Sequence, residues 1–188
     1  MIVAQGTEAG GHGGQRATFP LVPAVVDAVG DIPVVAAGGI ADGRGLAAAL
    51  MLGASGVLCG TAFVAADESL VHPYVKKAAV AGSGDTTERS SFFDIARGID
   101  WPAQWTIRTL TNEFSRKWGN DLDGLERNLK QEQARYASAR DAGDVNTSAV
   151  IVGEVVDLVR AQQPAEAILN AMVAQAESLL KRAPAFSV

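Results

Sequence analysis

The first 70 residues alternate between short apolar runs and longer amphipathic stretches. The apolar runs IVAQ at 2–5, PVVAA at 33–37 and GVLCGTAF at 56–63 have the length of strands that are buried on both faces. Between them, the pattern predicts a helix over about 19–29 and a second helix that Asp42 can cap. Strands that alternate with helices predict an α/β fold of about three parallel βα units.

From residue 70 onward the pattern changes and becomes mainly helical. It predicts helices over 71–81, 103–117, 122–141 and 164–182, with a loop at 82–91. The third of these helices is polar nearly all round and is predicted to face solvent, whereas the last repeats apolar residues every three or four positions. These shifts predict three parts: βα units with phosphate loops over 1–83, a helical segment over 84–162, and an amphipathic helix over 163–188 that packs back on the βα units.

Composition and charge exclude several classes of partner. The 188 residues are 48% hydrophobic and 20% charged, with a net charge of −5. An acidic chain is a poor match for nucleic acid or for an anionic membrane surface, so neither is expected as a partner. Cys59 is the single cysteine and cannot form an internal disulfide. Together with the lack of a recognisable signal peptide or bilayer span, this predicts a cytoplasmic location.

Glycine clusters follow each of the three predicted strands, as GTEAGGHGG, AAGGIADG and GTAF. Ligands of parallel α/β folds bind at the carboxyl ends of the strands, where glycine lets backbone N–H groups approach an anion. Two successive units of strand, glycine and helix resemble the phosphate site built by the loops after strands seven and eight of a β/α barrel. The alternative is that these glycines only make tight corners.

His12 lies in the first of these loops and is the best candidate for proton transfer. The alternative is a loop histidine that is hydrogen-bonded for structural reasons. Glu8 is a second candidate acid–base group, and Gln5 could hydrogen-bond a ring that has donor and acceptor edges. His72 is expected at the surface or at a helix start, and Cys59 as an inert buried thiol. No metal-ligand spacing is present, so no metal is expected.

Three separated segments carry a family resemblance: AQGTEAGGHGG, PVVAAGGIADGRGLAAALMLGASGVLCGTAF and FFDIARGIDWPAQWTIRTLTNEFSRKW. They resemble the nitronate monooxygenases, formerly called 2-nitropropane dioxygenases, over nearly the whole chain. The resemblance implies an FMN-dependent (β/α)8 TIM barrel with an added, mostly helical segment, of which this chain would be the C-terminal part. It also implies oxidation of alkyl nitronates or nitroalkanes by O2, which gives a carbonyl compound and nitrite.

The resemblance also implies roles for individual residues. Those that match the family's cofactor-binding positions are Gly38, Gly39, Gly60 and Thr61 for the FMN phosphate, and Gln5 and Gly11 for the flavin itself. His12 matches the position of the catalytic base. Neutral His12 would take the α-proton of a nitroalkane, and with an anionic nitronate it would position the charge.

Two alternatives to an independent monooxygenase stand beside this interpretation. The loop EAGGH also resembles the FMN-dependent enoyl-acyl-carrier-protein reductases, although those have glutamate where this chain has Gln5. Members of the monooxygenase family are well over 300 residues long, so the chain could instead be a non-catalytic fragment or one half of a split barrel. A missing N-terminal half or a homo-oligomer would then complete the sheet.

Overall fold

The computed structural model describes residues 1–182, which form two three-stranded sheets surrounded by helices. The strands are β1 Ile2–Gln5, β2 Gly11–Gly13, β3 Val34–Ala37, β4 Gly56–Leu58, β5 Thr87–Ser90 and β6 Thr106–Leu110. The helices are α1 Thr18–Val29, α2 Gly43–Met51, α3 Thr61–Val64, α4 Pro73–Ala81, α5 Phe92–Arg97, α6 Glu113–Trp118, α7 Leu122–Arg127, α8 Leu129–Ala142 and α9 Ala165–Arg182. Each helix within residues 1–182 is too short or too polar to span a bilayer.

The parallel sheet contains β1, β3 and β4, with β3 in the centre. Its register aligns Gln5 with Ala37 and Ala37 with Leu58, so the carboxyl ends of all three strands lie side by side. One apolar cluster joins the sheet to the helices beside it, through Ala4, Val22, Val34, Ala36, Ile40, Ala49 and Ala54. The predicted α/β character and parallel βα units are confirmed, although the third strand ends at Leu58 and Thr61 already begins α3.

The second sheet is antiparallel and was not predicted. Its order is β2, β6, β5, so the glycine-rich loop itself contributes a strand. The predicted helix over 103–117 is wrong, because 106–110 form β6 and the helix begins only at Glu113. The predicted loop over 82–91 contains β5. Thr106, Ile107 and Thr109 are β-branched, and pairing with strands on both sides favours the extended backbone over a helix.

The segment over 84–162 is therefore mixed rather than helical, and it has its own aromatic core. Phe92, Phe93 and Phe114 are buried, and the ring centroids of Phe93 and Phe114 are 5.4 Å apart in a stacked arrangement. The predicted polar helix over 122–141 is two helices, α7 and α8, which meet at Asn128. The prediction that this segment faces solvent is also wrong in part, because one side of it is buried. The buried residues are Leu125, Glu132, Tyr136 and Ala139.

The C-terminal helix α9 packs against α2 and α3. Ile168 and Met172 of α9 join an apolar cluster with Ala62 and Ala66. A Cβ at Gly43 would meet the backbone of Met172 and Ala176, so glycine is what allows α2 and α9 to approach this closely. The last six residues of the predicted third part, 183–188, lie outside the described residues.

Asp42 begins α2 as its N-cap, as predicted, and gives a first test of the fold. Its carboxylate accepts hydrogen bonds from the backbone N–H groups of Arg44 at 2.9 Å and Gly45 at 3.3 Å. Burial raises the pKa of this carboxyl, but the hydrogen bonds from Arg44 and Gly45 outweigh burial and hold that pKa below its usual range. The ionised cap therefore stabilises the folded state above the unfolded pKa of about 3.9, and this contribution is lost as the pH falls through the lowered folded value.

We predict that Asp42→Ala lowers the free energy of unfolding by about 1 kcal/mol near neutral pH. The deficit relative to wild type should shrink at an acid pH below the lowered pKa of the Asp42 carboxyl, where the wild-type cap is itself protonated. Urea unfolding at both pH values measures this, with Asp27→Ala at an exposed position of α1 as the control. Equal losses in the two variants would contradict the capping role.

Candidate functional site

The glycine-rich loop, residues 6–14, follows β1, contains the short strand β2 and crosses the carboxyl ends of the parallel strands. It is anchored at both ends. Near its start, the Glu8 carboxylate accepts the backbone N–H of Thr18 at 3.0 and 2.9 Å and the Thr18 hydroxyl at 2.9 Å. Glu8 thus accepts hydrogen bonds at the first turn of α1, where backbone N–H groups have no partner within the helix. The Glu8 carboxylate is therefore engaged in anchoring the loop and is not free for acid–base chemistry.

Arg89 of β5 holds the remainder of the loop. Its guanidinium donates to the carbonyl oxygens of Thr7 at 3.0 Å, Ala9 at 2.9 Å and Gly11 at 3.1 Å, and to that of Thr106 at 2.6 Å. Burial lowers the pKa of Arg89, and the neighbouring Arg108 lowers it further, yet arginine remains charged at any physiological pH. One half-buried cation therefore donates charge-assisted hydrogen bonds to several loop carbonyls at once.

His12 lies on β2 and makes the most distinctive contact of the molecule. Its Nε2 lies 3.0 and 2.9 Å from the two carboxylate oxygens of Asp94, on α5. The Asp94 side chain is only 6% exposed, and its other neighbour is the guanidinium of Arg97, at 3.6 Å. The His12 ring stacks on Trp101, with 4.0 Å between ring centroids and 17° between planes. The amide Nε2 of Gln5 donates to the His12 carbonyl at 2.6 Å and ties β2 to the end of β1.

Two clefts open beside these residues. The larger, of about 650 Å³, is lined by His12, Gln5, Trp101 and Trp105, together with the apolar outer side of β1 and α1. The smaller, of about 350 Å³, lies over the carboxyl ends of the parallel strands and is lined by Gln5, Gly38, Gly39, Gly60, Thr61 and neighbouring apolar residues. Gln5 lines both clefts, so the histidine and the glycines face adjoining spaces.

The smaller cleft, which we call the glycine cleft, presents backbone donors rather than charged side chains. Gly38 and Gly39 have φ angles of +96° and +72°, which L side chains rarely adopt. Within residues 1–182, the N–H groups of Gly39 and Gly60 donate no hydrogen bond to another residue. The Thr61 hydroxyl accepts the N–H of Gly153 at 2.8 Å and keeps its own hydrogen to donate. This donor set suits an anion.

The structure brings most of the predicted site residues together. Five of the seven line the glycine cleft, and His12 lies in the adjoining one. Gly11 lines neither cleft, since it pairs with Arg108 in the antiparallel sheet. Half-buried Cys59 lines the glycine cleft, where burial raises the pKa of its thiol and disfavours the reactive thiolate. Residues 1–182 contain no cluster of three or more histidine, cysteine or acidic side chains that could hold a metal ion.

Sequence reasoning missed Asp94, Arg89 and Trp101. A carboxylate inside the apolar run FFDIA was the available signal for Asp94, because a buried acid needs a partner. The two other residues gave no comparable signal. Arg89 stands in a polar stretch that reads as a loop, and its contacts depend on how the two sheets meet.

Comparison with known proteins adds sequence and structural relatives. A family model described as nitronate monooxygenase matches residues 1–175. A nitronate monooxygenase of Metarhizium robertsii is 40% identical, with 96% of this chain and 53% of that protein covered. A probable nitronate monooxygenase of Staphylococcus saprophyticus is 35% identical, with 97% and 52% covered. The chain therefore spans about half the length of the curated relatives it matches.

Two solved structures are similar in fold over nearly the whole chain. FabK from Thermotoga maritima is 34% identical, with a TM-score of 0.80, and the match covers 98% of this chain and 57% of that chain. Nitroalkane oxidase from Streptomyces ansochromogenes is 30% identical, with a TM-score of 0.76, and the match covers 95% and 52%.

The contacts of Arg89 generate a prediction for the stability of the loop. We predict that Arg89→Lys lowers the free energy of unfolding by about 3 kcal/mol, because a lysine cannot replace a fork of charge-assisted hydrogen bonds. It should also speed hydrogen exchange of the amides in 7–13. The matched control is Arg127→Lys, whose side chain is 70% exposed and makes one contact at 3.8 Å. An Arg89→Lys protein as stable as this control would show that the carbonyl contacts contribute nothing.

Proposed function

Because the chain belongs to the nitronate monooxygenase family, we propose that it is an FMN-dependent enzyme that oxidises alkyl nitronates or nitroalkanes with O2 to a carbonyl compound and nitrite. The observation that carries the proposal is the placement of His12, paired with buried Asp94, beside a cleft of glycine donors. Small molecules, rather than nucleic acid or membrane, are the proposed partners. The single cysteine, Cys59, supports a reducing, cytoplasmic location.

The glycine cleft fits the phosphate of FMN. A Cβ at Gly38 would come within 3.0 Å of backbone atoms of Gly6 and Ala9, so the two glycine loops can lie this close only without a side chain there. Gly39 and Gly60 would offer free N–H groups, and Thr61 its hydroxyl. Gln5, which lines both clefts, would lie between the phosphate and the substrate space. Bound FMN supplies the redox chemistry with oxygen.

His12 would act on the substrate in the larger cleft. With a neutral nitroalkane the neutral ring would accept the α-proton, and with a preformed nitronate the ring protonated on both nitrogens would hold the negative charge in place. Trp101 covers one face of the ring and limits its rotation. The walls of the cleft are mostly apolar, so a bound substrate that displaces water from them would feel a stronger electrostatic contact.

We further propose that the parallel sheet is part of a (β/α)8 barrel. Two features support this: β1 and β4 are outer strands with one paired edge each, and the chain spans about half the length of its relatives. Exposed Val3 and Leu58 stand on these outer strands. An N-terminal half of the barrel, or a second chain, would cover them. The purified chain tests whether it acts alone: a bound flavin spectrum and a cooperative melt support independent activity, and a colourless, poorly folded product contradicts it.

A second candidate is an FMN-dependent enoyl-acyl-carrier-protein reductase, because the loop from Glu8 to His12 fits both groups of enzymes. Gln5, in place of the reductases' glutamate, favours the monooxygenase. Oxidation of NAD(P)H by an enoyl thioester would support the reductase, whereas nitrite release from a nitronate would support the monooxygenase.

We predict that His12→Asn slows nitrite release from a neutral nitroalkane by about 10²–10⁴-fold, because the α-proton loses its acceptor. The loss should be smaller with a preformed nitronate, which needs no proton transfer. Flavin absorbance should be retained, because His12 does not line the glycine cleft. His72→Asn is the matched control, since His72 is the other histidine of the chain and its ring contacts the backbone of α4.

Equal losses on the nitroalkane and on the nitronate would remove proton transfer from the role of His12. Unchanged rates on both substrates would remove His12 from the mechanism. Nitrite release must be measured in wild type first, since its absence there contradicts the proposed function itself.

A further inference from the structure

The Asp94 carboxylate determines which nitrogen of His12 carries a proton. An ionised carboxylate has lone pairs and no hydrogen, so it can only accept hydrogen bonds. Both of its oxygens lie within 3.0 Å of His12 Nε2. In the neutral imidazole one nitrogen is a donor and the other an acceptor. With Nε2–H facing Asp94, the lone pair is left on Nδ1, which makes no hydrogen bond with any residue in 1–182.

We propose that Asp94 is a positioning residue that holds neutral His12 as the Nε2–H tautomer and so makes Nδ1 the proton acceptor of the site. This inference rests on the proposed function for its catalytic meaning, but the tautomer is a property of the chain itself. Asp94 acts through His12 and lies outside the residues that line either cleft.

The surroundings of Asp94 fit a fixed partner rather than a mobile one. Asp94 lies in the first turn of α5. Its neighbours in that helix, Phe92, Phe93 and Ala96, are also buried. Arg97 Nη1 is 3.6 Å from one carboxylate oxygen, so a guanidinium adjoins the carboxylate in addition to His12. Stacking on Trp101 fixes the plane of the His12 ring from the other side. The Asp94 carboxylate and the Trp101 indole together hold the His12 imidazole in one orientation.

The tautomer can be observed directly by NMR. The chain has only two histidines, so ¹⁵N-histidine labelling gives two ring systems, and His72→Gln identifies that of His12. Protonated and unprotonated ring nitrogens have well-separated ¹⁵N shifts. At about pH 8.5, where imidazoles are ordinarily neutral, we expect a protonated Nε2 and an unprotonated Nδ1 for His12. A protonated Nδ1 in wild type, or an equal mixture, would overturn the proposal without any variant.

Asp94→Asn tests the cause. Its carboxamide can donate as well as accept, so we expect His12 to lose the single tautomer, and kcat on a nitroalkane to fall by about 10²–10⁴-fold with little change in KM. Asp100→Asn is the matched control: Asp100 is exposed, adjoins Trp101, and its side chain makes no hydrogen bond or ion pair within residues 1–182. A folded Asp94→Asn protein that keeps the wild-type tautomer would contradict the role of Asp94.

The two arms separate this inference from the proposed function. If wild type releases no nitrite but shows the Nε2–H tautomer that Asp94→Asn abolishes, the assignment of Asp94 stands and the reaction is wrong. If nitrite is released but the tautomer is the opposite one, the reaction stands and the assignment of Asp94 is wrong.

Discussion

The half-buried guanidinium of Arg89 is the contact on which the site depends, because it ties the glycine-rich loop, which connects the two sheets, to the antiparallel sheet. It reaches from β5 to carbonyl oxygens of the glycine-rich loop and to Thr106 of β6. A loop with glycines at 10, 11, 13 and 14 has a large conformational entropy in the unfolded chain and few side chains to pack. Hydrogen bonds from one fixed cation, together with the Glu8 anchor, give this loop a defined shape.

Once the loop is held, each sheet supplies what the other lacks. The parallel sheet ends in glycine donors but carries no acid–base group there. The antiparallel sheet presents His12, and α5 beneath it provides the carboxylate that orients the ring. Gln5 connects the two, since it lies at the end of β1 and donates to the carbonyl of His12. The glycine cleft and His12 therefore belong to separate elements whose relative position the loop determines.

The sequence predicted the parallel half of the fold because its signals are local. Apolar runs such as that over 33–37 and the cap at Asp42 act within a few residues. The antiparallel half depends on pairing between residues far apart in the chain, such as His12 with Ile107, and local propensity does not report such pairing. For the same reason the glycines of the site could be predicted, since they follow strands in the local sequence, whereas Asp94 could not. Its contact with His12 joins residues 82 positions apart.

We expect above all that the glycine cleft binds the phosphate of a flavin beside His12. Titration of the chain with FMN and with riboflavin, followed by flavin fluorescence, tests it most directly because the two ligands differ only in that phosphate. Charge-assisted hydrogen bonds from the loops should make FMN bind at least about tenfold more tightly than riboflavin. Equal affinities for the two ligands would contradict the claim.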